Sequence, residues 1–458
     1  MNKNNYFSLG TLRPHRWLQQ TVSIFFFTFL AMLAQAQTPT ITSFTPASGS
    51  VGTLVTITGT NLSSPTALSI GGVAAIPVSN DGTTLVAMVM PGATTGTVSV
   101  TTAGGAATGS SNFTVTPTPF PGTQQGNKLV GTGNTGAALQ GWSVAVSADG
   151  NTAIVGGYAD NSGQGAAWVY IRSGNTWTQQ GSKLVGTGAV GNAQQGISVA
   201  LSADGNTAIV GGNVDNSTQG AAWVYTRSGS TWTQQGSKLV GTGNTSAARQ
   251  GYSVALSADG NTAMVGGNQD NSNQGAAWVF TRSGGTWTQQ GNKLVGTGNT
   301  GAAQQGWSVA LSANGNTAMV GGAADNSGIG AAWVYTRSGN TWTQQGNKLV
   351  GTGNTGASTQ GNSVALSADG NTAMVGGYWD NSFQGAAWVF IRSGSTWTQQ
   401  GNKLVGTGNT GAARQGHSVA LSADGNTAMM GGYTDNSDQG AAWVFTRSGG
   451  TWSQQGAS

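Results

Sequence analysis

Few side chains in this 458-residue chain can do acid–base or nucleophilic chemistry, and nearly all of them recur. There is no Cys and no Glu, and the 13 acidic residues are all Asp. His15 and His417 are the two histidines. Every Asp except Asp81 and Asp438 sits at a position that repeats along the chain. Acid–base and covalent catalysis need a nucleophile or base beside a matched neighbour, a one-off arrangement. A repeated array of identical carboxylates does not supply one. No zinc-ligand spacing, phosphate-binding glycine loop or Gly-x-Ser-x-Gly elbow is present. The chain reads as a non-enzyme, with no catalytic residue, metal or cofactor. His417 falls in a slot that varies between copies and reads as a surface residue. An enzyme would need turnover that depends on His417 or on the Asp array.

The elements that position these residues come from one unit written six times. Trp168, Trp223, Trp278, Trp333, Trp388 and Trp443 follow one another at 55-residue steps with no insertion. A fixed period of this size marks a propeller or solenoid. Each unit offers four β runs: in the first copy 143–147, 152–157, 166–172 and 176–185. Asp-Gly in "ADGN" (148–151) and the short "SGNT" (173–176) supply tight turns. Trp168, Tyr170 and Trp177 are expected between neighbouring sheets. The array opens with "TQQGNKLVG" (123–131) and ends with "TWSQQG" (451–456). That shared wording predicts a ring closed by pairing the first strand with the last sheet; a stretch of a longer repeat array is the alternative.

Comparison of the copies separates frame from variation. The "ADGN" turns hold, except for Asn314. The residues before and after "QG", after "GG" and after "DNS" change from copy to copy. Antiparallel strands place these loops at one end of each unit and the constant turns at the other. The variable face so formed carries Trp142, Tyr158, Arg249, Tyr252, Trp307, Tyr378, Trp379, Phe383, Arg414, His417 and Tyr433. Aromatic residues and Arg dominate interface energetics, so these eleven are the candidate ligand-binding residues. Loose constraint on loops is the competing account. The invariant Asp-Asn-Ser (160–162 and its copies) reads as a turn that caps itself.

Residues 1–36 read as a cleaved signal peptide. Lys3, Arg13 and Arg16 precede the 13-residue apolar run 22–34, followed by Ala-Gln-Ala. A bilayer span needs about 20 residues. Cleavage leaves 14 basic against 13 acidic residues, a net charge of +1. That balance, with no basic cluster, argues against nucleic acid as a partner. No later stretch is apolar enough to span a membrane. Residues 38–116 hold short strands between Gly and Pro turns, the grammar of a β-sandwich. Residues 117–122, "PTPFPG" within that boundary, form a Pro-rich linker.

Two family resemblances follow. Ile41, Phe44, Pro46, Gly49, Gly52, "VTITGTNL" (55–62) and Gly71-Gly72 resemble the IPT/TIG family of immunoglobulin-like modules. That resemblance implies a spacer or interaction module. "QGxSVALSADGNTAMVGG" followed by "GAAWVF" resembles the FG-GAP repeat of integrin-type propellers, with Gln250-Gly251 and Val265-Gly266-Gly267 at its two signatures. The spaced Gly-Gly and Trp also resemble kelch repeats. The FG-GAP resemblance implies a propeller, often of seven blades, and often a calcium loop with several Asp. The loop here has one carboxylate (Asp259) or none (Asn314), too few for calcium. The expectation is an all-β chain: an immunoglobulin-like sandwich, then a six-bladed propeller of FG-GAP-like repeats over 123–458. It is expected to be a secreted or cell-surface monomer that binds an extracellular protein or glycan. A structural spacer without a specific ligand is the alternative.

Overall fold

A computed structural model describes residues 37–116, 124–245 and 247–456. The expected leader and linker lie outside these residues. Period-two alternation of apolar residues builds the first unit, as in β3, where Val55 and Ile57 point inward. Its strands are β1 (Thr40–Thr45), β2 (Ser48–Gly49), β3 (Leu54–Thr60), β4 (Ala67–Ile70), β5 (Val73–Ala74), β6 (Ile76–Asn80), β7 (Thr84–Met88), β8 (Gly96–Thr102) and β9 (Gly105–Val115). They form two sheets, ordered β1-β3-β7-β6 and β2-β9-β8-β4-β5. Val55, Ile57, Leu85, Val98, Val100 and Phe113 fill the space between them.

The repeats make six four-stranded antiparallel sheets. In the first, β10 (Ser143–Val146), β11 (Thr152–Gly157), β12 (Ala166–Ser173) and β13 (Thr176–Gln179) lie side by side in chain order. The fourth run is shorter than its sequence suggests. It stops at Gln179, the chain turns at Gly181 (φ +74°), and Leu184 folds back to pair with Ala167.

Successive sheets pack face to face. Trp223 is fully buried among Ile154, Val169 and Leu184 of the preceding unit, and its Nε1 donates to Thr187 O at 2.8 Å. Inner strands approach so closely that a Cβ on Gly156 would sit 2.1 Å from Gly196 O. Only Gly permits that approach. Backbone bonds link the constant turns from one sheet to the next: Ala148 N donates to Ala203 O at 3.0 Å, and Ala203 N to Ala258 O at 2.9 Å.

Among the described residues the expected closure is not made. No ladder among them joins 124–131 to the last strand, Thr451–Gln455, which pairs only with Ala441–Ser448. Val144 and Val146 on the first sheet stay 67% and 59% exposed, and Met429 on the sixth is 47% exposed. The equivalents Met264, Met319 and Met374 are completely buried. The first segment instead takes the place on the first sheet that each later linking segment takes on its own sheet. Gly131 pairs with Gln140 as Gly186 pairs with Gln195.

The first unit docks on the constant-turn end. Ile76, Val78, Met88 and Met90 contact the turn alanines Ala203, Ala258, Ala313, Ala368 and Ala423. One surface touching five successive turns means that the sheets curve around it. Asp81 and the exceptional Asn314 line one cavity of about 490 Å³ at this junction. The single Asp-to-Asn change among the six turns therefore falls in the cavity that Asp81 lines.

Candidate binding face

The varied loops lie opposite the docked unit, and their backbones are locked together. Asn161 N donates to Thr135 O at 2.9 Å, and Gln194 N donates to Gly163 O at 2.9 Å. Asn161 and Ser162 are left-handed, with φ of 48° and 57°. Asn tolerates that conformation, and Asn161 Nδ2 donates to Gln164 Oε1 at 2.8 Å.

The Asp of this motif does not cap its own turn, contrary to expectation. Asp160 is buried, accepts Thr135 N on Oδ1 at 2.7 Å, and is ion-paired through Oδ2 with Lys183 of the segment that follows the fourth strand. Asp215, Asp270, Asp325 and Asp380 make the same pair with Lys238, Lys293, Lys348 and Lys403. Asp435 accepts Thr410 N at 2.7 Å and has no lysine partner among the described residues. The Gln of "QG" was also missed as a structural element. Gln250 is fully buried; its Oε1 accepts Gly241 N at 2.5 Å and its Nε2 donates to Gly241 O at 2.9 Å. Its invariance across six copies was the available signal. In the "ADGN" turn, Asp149 Oδ1 accepts Ser147 Oγ and Asn151 N at 2.5 and 3.0 Å.

The eleven candidate residues fall into three groups. Trp142 and Tyr158 meet edge to face at 4.9 Å beside the open side of the first sheet. Tyr252 and Trp307 are tilted at 5.0 Å. Arg249 is half-buried near Tyr252, and its Nε is buried without a partner. The third group is continuous. Phe383 meets Trp379 at 5.6 Å, Trp379 meets Tyr378 at 5.8 Å, Tyr378 meets His417 at 5.3 Å, and His417 meets Tyr433 at 4.6 Å. Arg414 closes the circuit, 5.2 Å from the ring centroids of both Phe383 and Tyr433, and donates to Tyr433 Oη. Edge-to-face rings and a stacked guanidinium hold one another in place. Trp379, Phe383 and Tyr433 are 42%, 41% and 45% exposed.

The electrostatics follow from this crowding. Desolvation, then the Arg414 charge, holds the His417 pKa below its usual value, so the imidazole is neutral at neutral pH. Burial raises the Tyr378 and Tyr252 hydroxyls above their ordinary range. No cluster of three or more His, Cys, Asp or Glu that could hold a metal occurs among the described residues. No helix among them is long and apolar enough to cross a membrane.

Residues 39–117 match the IPT/TIG domain family. The docked sandwich is therefore an IPT/TIG domain, the immunoglobulin-like part of an all-β chain. No curated protein matches the chain. Among solved structures it is similar to a putative 6-phosphogluconolactonase from Bacteroides uniformis ATCC 8492. The identity is 13%, the alignment covers 69% of this chain and 83% of that one, and the TM-score is 0.48.

Proposed function

We propose that this chain is a secreted or cell-surface binding protein that engages an extracellular glycan or protein through the varied loops of a propeller-like array. On this reading the six sheets are blades of the FG-GAP kind, and the IPT/TIG domain caps the face opposite the ligand. The observation that carries the reading is the continuous circuit of Phe383, Trp379, Tyr378, His417, Tyr433 and Arg414. All six occupy slots that differ between copies, while the turns and buried residues that build the frame are copied. Exposed rings fixed by their neighbours lose little entropy when they bind. The test is a glycan-array and whole-cell binding screen of the secreted chain beside a Trp379→Ala/Phe383→Ala variant. Both side chains are partly exposed, so the variant is expected to fold. Saturable binding lost in the variant supports the reading. No binding by either protein, or equal binding by both, refutes it in favour of a structural spacer.

A further inference from the structure

Beside the aromatic circuit, on the open side of the sixth sheet, lies a shallow cavity of about 380 Å³. His417, Tyr433, Asp438, Ser418 and Gln439 line it with Ala441, Gly431, Gly432 and Gly440, and Gln439 Oε1 is already engaged by Asn436 Nδ2. The same place is closed in the preceding repeat. A Cβ on Gly385 would sit 2.1 Å from Gln415 O, whereas on Gly440 the nearest atom would be Tyr433 Cα at 3.3 Å. Among the described residues the cavity is therefore uncovered. It is lined by the one His outside the leader region and by one of the two Asp that do not recur.

The charges around it select a ligand class. Arg414 is engaged by Phe383 and Tyr433. Asp438 is exposed and makes no hydrogen bond or ion pair among the described residues. A free carboxylate accepts two hydroxyl protons and repels anions, and a neutral imidazole both donates and accepts. The Arg414 charge beside them disfavours a cationic group. A ring face next to such groups suits the C–H face of a pyranose. We propose that this cavity is a subsite for one neutral sugar residue, with Asp438 and His417 taking hydroxyls and Tyr433 serving as the platform. It rests on the reading that the varied loops form a binding face, and narrows that face to carbohydrate.

Saturation-transfer NMR on the full secreted chain tests it, using free neutral hexoses, N-acetylhexosamines and uronic acids as ligands. Neutral sugars are expected to receive saturation and uronic acids not. Asp438→Ala, on the exposed rim, is expected to weaken neutral-sugar binding by about 10- to 100-fold, the worth of hydrogen bonds to a charged group. Asp438→Asn is expected to admit uronic acids, a change that simple misfolding does not produce. Neutral-sugar binding untouched by Asp438→Ala, or binding of uronic acids by the unaltered chain, overturns the subsite. If no sugar binds while cell binding still depends on Trp379 and Phe383, the subsite fails and the binding face stands as a protein-binding surface. If cell binding ignores those two rings as well, both fail.

Discussion

Replacing Lys293 by Met should damage the array far more than replacing its partner Asp270 by Asn. The Asp270 carboxylate is fully buried, accepts Thr245 N at 2.9 Å and Lys293 Nζ at 2.5 Å, while the Lys293 side chain keeps 18% of its exposure. Without the lysine, a buried carboxylate is left with one amide donor. Breaking a buried pair in this way costs about 3–5 kcal/mol. With Asn at 270, the side-chain oxygen still accepts Thr245 N, no charge is buried, and Lys293 can extend toward water, so about 1 kcal/mol is expected. The double variant should recover most of the loss. Repeat arrays open locally and need not unfold in one step, so the assay is native-state hydrogen exchange. The Thr245 amide and its neighbours should exchange about 10²- to 10³-fold faster in Lys293→Met, the equivalent of 3–4 kcal/mol. Equal effects of the two single variants, or less than about 1 kcal/mol for Lys293→Met, would refute the reasoning.

Three further outcomes are expected. Asn314→Asp should loosen the IPT/TIG domain, because it adds a second carboxylate to the cavity that Asp81 lines and like charges repel. Hydrogen exchange at Val78 and Met88 reports it, Asp81→Asn should reverse it, and Asp369→Asn should leave it unchanged. His417 should titrate below its ordinary value of 6.5, because desolvation and Arg414 both oppose its charge. The folded state then binds fewer protons than the unfolded one, so stability falls as pH drops from 6.5 through the folded pKa; NMR titration should also show Arg414→Gln raising that pKa. Gly296→Ala would set a Cβ 2.1 Å from the Trp333 ring, an overpacking expected to cost about 1–3 kcal/mol or more, read by the exchange of amides in the fourth sheet.

Much of the frame was legible because its determinants are local. Strand alternation, Asp-Gly turns and the 55-residue step located four strands per unit, and the motif at Ile41–Gly72 located the IPT/TIG domain. The candidate face was legible as a set of varied slots, because copies of one unit can be compared without a structure. Which slots meet was not. Tyr378 and His417 are 39 residues apart in the chain, and only the packing of the fifth sheet on the sixth brings their rings to 5.3 Å.

The same division holds for the polar groups. Read locally, Asp-Asn-Ser is a turn. In the fold, Asp270 reaches back 25 residues to Thr245 N and forward 23 to Lys293, because the linking segments cross between sheets. Gln250 looks like a surface amide until the segment holding Gly241 folds over it. Asn314 had no evident reason until Asp81 came to line the same cavity. By itself the sequence determined strands, turns, the repeat and the positions free to vary, since short-range sterics and hydrophobic period set these. Tertiary structure alone decided the open side of the array, the face covered by the IPT/TIG domain and the aromatic circuit. Those depend on the curvature summed over five interfaces and on contacts between residues far apart in the chain.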